Sequence, residues 1–345
     1  MSHVVAVCGA TGVVGREFLA VLEQRKFPVK RLRLMASARS AGTRIAFRGE
    51  SIQVEDLSKA RFEGVDLALF SAGSGVAKVE ATRVAAAGAL VVDNSSAFRM
   101  DPDVPLVVPQ VNAADARKHK GIIANPNCST IILVMALAPL ERHARITRVV
   151  VSTYQAVSGS GQGGLEELDR QVADEAAGRT SVPKTYPVLI HRNVIPFVQA
   201  FSDGGLTTEE WKMVKETRRI MNRPDLAVAA TCVRVPVRRA HSEAANVEFE
   251  RAVSAGDVRV WLEGAPGVRV VDDPAATKFP TPRDAEGGDD VLVGRIRQDP
   301  CLDHAVDLWI TGDQLRKGAA LNAVEIAEDV LGTRAPTPRR APARR

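Results

Sequence analysis

Short aliphatic runs alternate with amphipathic stretches through the first third of the chain. Val4-Val5-Ala6-Val7, Leu32-Arg33-Leu34-Met35, Asp66-Leu67-Ala68-Leu69-Phe70 and Leu90-Val91-Val92 read as strands buried on both faces. Residues 13–24 and 76–87 have helical spacing between them. The alternation predicts a doubly wound parallel sheet with right-handed crossovers. Beyond residue 128 the pattern changes. A helix through 131–140 leads into a strand over 148–154, with further strands over 230–237, 245–249, 291–297 and 305–310. This half reads as an α+β unit on a mixed or antiparallel sheet. A helix is expected over 208–221, a surface loop over 274–290, and a closing amphipathic helix over 315–331 that stops at Gly332.

A chain of 345 residues is long enough for two cores. Apolar residues make up 45% and charged residues 25%, as expected for a soluble protein, and no apolar run reaches the ~20 residues a membrane span needs. The start Met1-Ser2-His3-Val4 lacks a basic leader pattern, so a cytoplasmic protein is expected. Four scattered cysteines, Cys8, Cys128, Cys232 and Cys301, argue against a disulfide framework or a metal site. The net charge of +5 is carried by five arginines in the last twelve residues, so residues 333–345 read as a disordered basic tail. No nucleic-acid or membrane partner is indicated.

The first strand runs into Gly9-Ala10-Thr11-Gly12-Val13-Val14-Gly15 and then a helix. Glycines at a strand-to-helix turn let backbone N–H groups approach a pyrophosphate, which predicts a Rossmann-type nucleotide site. The second strand ends in Ala36-Ser37-Ala38-Arg39-Ser40, with an arginine where NAD binders place an acid. Arg39, with Ser37 and Ser40, suits a 2′-phosphate, so NADP is expected.

Asn125-Pro126-Asn127-Cys128-Ser129-Thr130 precedes an apolar helix. A cysteine in the first helical turn feels the positive dipole end, which predicts a lowered pKa and a thiolate nucleophile. Cys8, Cys232 and Cys301 stand in or beside strand-like runs and read as structural. A thiolate beside a nicotinamide suggests acyl transfer through a thioester, which needs a proton-transfer partner. Two histidines suit that role: His241, in the polar turn expected after 232–237, and His191. The other four, His3, His119, His143 and His304, read as surface groups.

Six segments in order carry a resemblance to the aspartate-β-semialdehyde dehydrogenase family over about residues 3–331. They are 9–15, Asn94-Ser95-Ser96-Ala97-Phe98-Arg99, 126–130, Gln155-Ala156-Val157-Ser158-Gly159, 234–241, and Leu315-Arg316-Lys317-Gly318-Ala319-Ala320-Leu321-Asn322. The resemblance implies Cys128 as acyl-thioester nucleophile, His241 as acid/base, and Gln155 as the residue orienting substrate. It implies Arg234 on the α-carboxylate, Glu209 on the α-ammonium, and Arg99, Asn127 and Lys212 on phosphate. Without it, Glu209 and Lys212 would read as a surface i,i+3 pair. Cofactor contacts are implied at Thr11, Gly12, Val13, Val14, Arg39, Ser40, Ser71, Ala72, Ser158, Gly159 and Gln314. The last returns the closing helix to the nucleotide domain, so the expected division is 1–127 plus 313–332 around an inserted catalytic and dimerisation domain, 128–312. The implied reaction is NADPH-dependent conversion of L-aspartyl 4-phosphate to the semialdehyde, on the route to lysine, diaminopimelate, threonine, methionine and isoleucine, by a homodimer. The competing readings are an acyl-phosphate or acyl-CoA reductase of the same architecture, of N-acetyl-glutamyl-phosphate reductase or malonyl-CoA reductase type, and a non-catalytic NADP-binding protein.

Overall fold

The computed structural model describes residues 2–333. Apart from Thr333, the basic tail expected over 333–345 lies outside the described residues. Strands β1 (His3–Cys8), β2 (Val29–Ala36), β3 (Arg44–Phe47), β4 (Glu50–Asp56), β5 (Leu67–Phe70), β6 (Leu90–Asp93) and β7 (Ile122–Ala124) form one sheet in the order β3-β4-β2-β1-β5-β6-β7. All neighbours are parallel except β3 and β4. Strand order reverses between β1 and β5, with helices α1 (Val13–Gln24) and α2 (Ser74–Ala86) making the crossovers. A crevice for ligands opens at such a reversal, beyond the carboxyl ends of the strands. Gly9, at φ +91°, and Ser71 meet there; a side chain at Gly9 would lie 2.2 Å from the Ser71 carbonyl oxygen.

The second sheet takes β8 (Ile146–Gln155), β9 (Ala227–Arg234), β10 (His241–Phe249), β11 (Val268–Val270), β12 (Val291–Gln298) and β13 (Ala305–Gly312) in the order β11-β12-β13-β10-β8-β9. Two of its pairings are parallel and three antiparallel, so of the mixed and antiparallel sheets expected it is the mixed one. The strand expected over 230–237 is displaced to β9, which stops at Arg234. That expected over 245–249 starts earlier, so His241 opens β10 instead of standing in a polar turn.

After a single turn, α3 (Pro109–Asn112), comes α4 (Cys128–Glu141), in which every residue from Ser129 to Leu140 is buried. A helix apolar on all faces belongs inside a core, and α4 packs in one cluster with Ala68, Phe70 and Val91 of the first sheet and Val149, Val151 and Val247 of the second. Helix α5 (Gly161–Ala176) packs on the turn Val157–Ser160 and on α1, whereas α6 (Thr208–Ile220) and α7 (Ala255–Glu263) pack against the second sheet. The loop expected over 274–290 contains one helical turn, α8 (Pro282–Ala285). The closing helix begins with a π-helical turn, Arg316–Ala320, before α9 (Leu321–Leu331). Its residues Ala320, Leu321, Val324 and Ala327 pack with Val5, Val7 and Phe18 of the first sheet and α1.

Gly15 sets how closely α1 approaches β1, since a methyl there would fall 2.1 Å from the Gly9 carbonyl oxygen and 2.7 Å from the Ala10 Cα. Both are backbone and cannot swing aside. Gly15→Ala should lower stability by about 1–3 kcal/mol, the usual cost of overpacking, seen as a lower urea midpoint; an unchanged midpoint would show that the turn relaxes freely.

Candidate active site

Cys128 is the first residue of α4, and Asn127 caps that helix, its Oδ1 accepting from the Thr130 N–H at 3.1 Å. The π-turn packs against the base of the cysteine: a side chain at Gly318 would meet the Cys128 Cβ at 3.0 Å. Opposite stands one row of the second sheet. Arg234 pairs with Gln155, and Ser242 with Tyr154, so Arg234, Gln155 and His241 lie side by side across β9, β8 and β10. All three are buried. His241 Nε2 is 3.6 Å from Cys128 Sγ, and its Nδ1 accepts from the Ala156 N–H at 3.0 Å. The Ala156 carbonyl accepts from Arg234 Nη1 at 2.5 Å, so the backbone of one residue meets both side chains through its two adjoining peptide units.

Gln155 Nε2 donates to Ser129 Oγ at 2.6 Å and to Glu209 Oε1 at 3.1 Å, while its Oε1 is buried without a hydrogen-bond partner. Glu209 also accepts from Asn127 Nδ2 at 2.8 Å and from Lys212 Nζ at 3.2 Å. Burial pushes the Glu209 carboxyl up, yet Lys212, Asn127 and Gln155 together hold it below the ordinary range. The pair that would read as a surface contact is therefore part of the site, with Glu209 only 3% exposed. Arg99 is buried, donating to the carbonyls of Asn125 and Asn94 at 3.0 and 2.7 Å.

Glu216 was not among the sequence candidates. Seven residues after Glu209 on α6, it accepts from the Asn127 N–H at 2.6 Å and faces Arg99 Nη1 at 3.3 Å. It thus links the helix cap to the phosphate candidates; the sequence signal that could have found it was helical periodicity from Glu209.

A cavity of about 460 Å³ joins these groups to the nucleotide turn, being lined by Gly12, Val13, Val14, Ser71, Ser158, Gly159 and Gln314 as well as Cys128 and His241. An adjoining cavity of about 530 Å³ shares Gly12 and Ser71 and adds Thr11, Ser37 and Ala72. Gln314 ties together the loops that follow β8, β9 and β13, donating to Ser158 Oγ and accepting from the Ala240 N–H at 2.7 Å. Arg39 and Ser40 stand on the single turn Ala38–Ser40 and line neither cavity; Arg39 is exposed. His191 hydrogen-bonds Glu175 in a separate groove, which leaves His241 as the histidine at the site. Cys8 and Cys232 are buried as expected, but Cys301 is exposed in the turn after β12, so burial does not account for it.

The expected thiolate is overturned for the free enzyme. Burial, then the Glu209 charge, pushes the Cys128 thiol up to about 11, outweighing Arg99, Arg234 and the Ser129 N–H at the helix start. His241 is pushed well below its ordinary value by burial and then by Arg234. A thiol and a neutral imidazole therefore face each other at neutral pH. Because the thiol's pKa is raised, thiolate grows in only as pH climbs. Alkylation of Cys128 by iodoacetamide in the free enzyme should keep rising from pH 6 to beyond about pH 9; a plateau near neutrality would mean that the ion pair already exists.

The description "Semialdehyde dehydrogenase, NAD binding domain" matches residues 4–119, and "Semialdehyde dehydrogenase, dimerisation domain" matches 137–317. The chain is 50% identical to the aspartate-semialdehyde dehydrogenase of Aquifex aeolicus over 333 residues, 95% of this chain and 98% of that protein. It is 47% identical to that of Bacillus subtilis over 334 residues, 94% of this chain and 96% of that protein. Among solved structures, aspartate semialdehyde dehydrogenase II of Vibrio cholerae complexed with ASA aligns with a TM-score of 0.94 at 43% identity, covering 96% of this chain and 99% of that one. The Candida albicans enzyme with NADP aligns with a TM-score of 0.76 at 26% identity, covering 96% and 99%. With both halves matched and identity near one half along almost the whole length, the chain belongs to the aspartate-semialdehyde dehydrogenase family.

Proposed function

We propose that this protein converts L-aspartyl 4-phosphate to L-aspartate 4-semialdehyde with NADPH, through a thioester on Cys128, in lysine, diaminopimelate, threonine, methionine and isoleucine biosynthesis. The observation that carries the reading is the 3.6 Å approach of His241 Nε2 to Cys128 Sγ in a cavity that continues to the glycine turn. The Vibrio cholerae relative's complex with ASA supports the substrate class. The Candida albicans relative's NADP supports the cofactor.

The side chains divide the substrate by charge. Arg234 offers a fork for the α-carboxylate, and Glu209 is an anion suited to the α-ammonium. Arg99, Lys212 and Asn127 stand where leaving phosphate would be met. Gln155 has an unpartnered oxygen and a donor nitrogen with which to hold substrate beside the sulfur. The thioester would form as phosphate departs, and His241 Nε2 faces the atoms where charge then develops. Bound nicotinamide would supply the hydride. The residues fit such a group, because Gly9 and Gly15 let β1, α1 and the Ser71 loop pack closely enough to make the turn, and Thr11, Gly12, Val13 and Val14 of that turn line the adjoining cavities. Thr11 to Val14, Ser71, Ala72, Ser158, Gly159 and Gln314 would contact it, with Ser37, Arg39 and Ser40 reaching a 2′-phosphate from the rim. Residues 1–127 and 313–332 would act as the cofactor domain around 128–312, and the chain would work as a homodimer.

NADP reduction by the purified protein with L-aspartate semialdehyde should require inorganic phosphate and fall to background in Cys128→Ala. Activity indifferent to phosphate would instead support an acyl-CoA or simple aldehyde reductase. Arg39→Ala should raise the KM for NADP about tenfold, the loss of one charge-assisted pair, and leave use of NAD unchanged; an unaltered KM would remove Arg39 from the cofactor site.

A further inference from the structure

We propose that Lys317 is a positioning residue for the hydride-transfer step: its buried ammonium holds the turn Arg316–Ala320 in its π-helical form, so that Gly318, and no side chain, backs Cys128. The proposal rests on the thioester reading above and adds to it a residue that touches neither substrate nor cofactor.

The turn is wound by bonds that reach back five residues. The N–H groups of Gly318, Ala320 and Leu321 donate to the carbonyls of Asp313, Leu315 and Arg316. Such a turn holds one residue more than an α-helical turn and occurs mostly as an isolated interruption, often at functional sites. Two neighbouring side chains leave it for different anchors. Arg316 goes to Glu17 and Gln24 on α1, at 3.1 and 2.8 Å, and to Asp289 at 2.6 Å. Lys317 Nζ donates to Gln110 Oε1 on α3 at 2.6 Å, and to Asn322 Oδ1 and Glu325 Oε2 on α9 at 2.9 and 2.7 Å.

Lys317 is only 1% exposed, so its charge depends on these acceptors. An ammonium has three N–H donors, and here it meets three acceptors. Burial pushes the Glu325 carboxyl up, yet Lys317 and Gln110 hold it below the ordinary range. A buried pair of this kind resists parting, because either member alone would be a stranded charge. The clamp also reaches the loop before the nucleophile. Asn322 Nδ2 donates to Asn125 Oδ1 at 2.7 Å, Asn125 Nδ2 donates to the Ala319 carbonyl at 3.4 Å, and the Asn125 carbonyl accepts from Arg99.

Gly318 and Ala319 line the cavity that holds Cys128 and the glycine turn. A Cβ on Gly318 would stand 3.0 Å from the Cys128 Cβ and 3.4 Å from its Cα, atoms that move only with the start of α4. Wound as an α-helix, the segment would turn by about 100° for its surplus residue. Gly318 would leave that face, and a residue bearing a side chain would press on the cysteine in its place. A displacement of about 1 Å at a reacting atom is enough to lower a rate about 10²-fold.

The test uses the full-length chain carrying Lys317→Met together with Glu325→Gln, which removes both charges at similar volume and keeps an acceptor for Gln110. With no charge stranded, its urea midpoint should stay near that of the unaltered protein. Its kcat for NADP reduction by L-aspartate semialdehyde and phosphate should fall about 10²-fold with KM within about twofold. Deuterium at the aldehyde carbon should slow the variant by a larger factor than it slows the parent. A crystal structure of the variant without ligands should show the turn rewound and Gly318 turned from Cys128. An unaltered kcat in the folded variant, or an unaltered π-turn, overturns the proposal and leaves Lys317 a stabilising residue only. Gly318→Ala keeps both anchors and should lower kcat in the same way; full activity there overturns the proposal even if the double variant does not fold. The crystal structure needs no substrate, so inactivity of the unaltered protein on aspartate semialdehyde would count against the thioester reading alone.

Discussion

Helix α4 runs through the interior with apolar side chains on every face, so the amides at its first turn have no water to bind. Unsatisfied, each would carry a desolvation penalty of about 1–3 kcal/mol. The protein answers with side chains: Asn127 Oδ1 receives the Thr130 N–H, and Glu216 receives that of Asn127. The remaining polar contacts spread outward from this cap. Asn127 Nδ2 goes to Glu209, Glu209 to Gln155 and Lys212, and Glu216 to Arg99. The groups assigned to substrate are thus the same ones that make a buried helix end tolerable, and Cys128 sits at its start.

This explains why the cysteine was legible in the sequence while its charge was not. A capped helix start is a local signal, spelled out by Asn127-Cys128-Ser129-Thr130. The burial of the sulfur and the carboxylate of Glu209 are tertiary facts, and here they outweigh the Ser129 N–H at the helix start. Glu216 was hidden for a related reason. Among Lys215, Thr217, Arg218 and Arg219 it resembles one more charge on a solvated helix, and only the packing of α6 against α4 reveals otherwise.

The same division runs through the fold. Strands β1, β5 and β6 are buried on both faces and announce themselves as continuous apolar runs. The β3–β4 pair, at the sheet edge, alternates buried Ile45 and Phe47 with exposed Arg44 and Ala46, and helix α5 opens on glycines with a polar composition; neither was read. His241 could be nominated but not placed, because its position depends on the register of β10 against β8, a pairing between segments far apart in sequence. The six-segment resemblance supplied what no local pattern could.

The wall that Gly318 raises against Cys128 has a bearing on how the enzyme comes into being. Chain emerging from a ribosome delivers the nucleophile, the strands behind it and most of the cavity well before the π-turn that packs against the base of the cysteine. A nascent or prematurely terminated product would therefore carry this cysteine with one wall of its cavity missing. Competence arrives late and all at once, with the last helix serving as the latch.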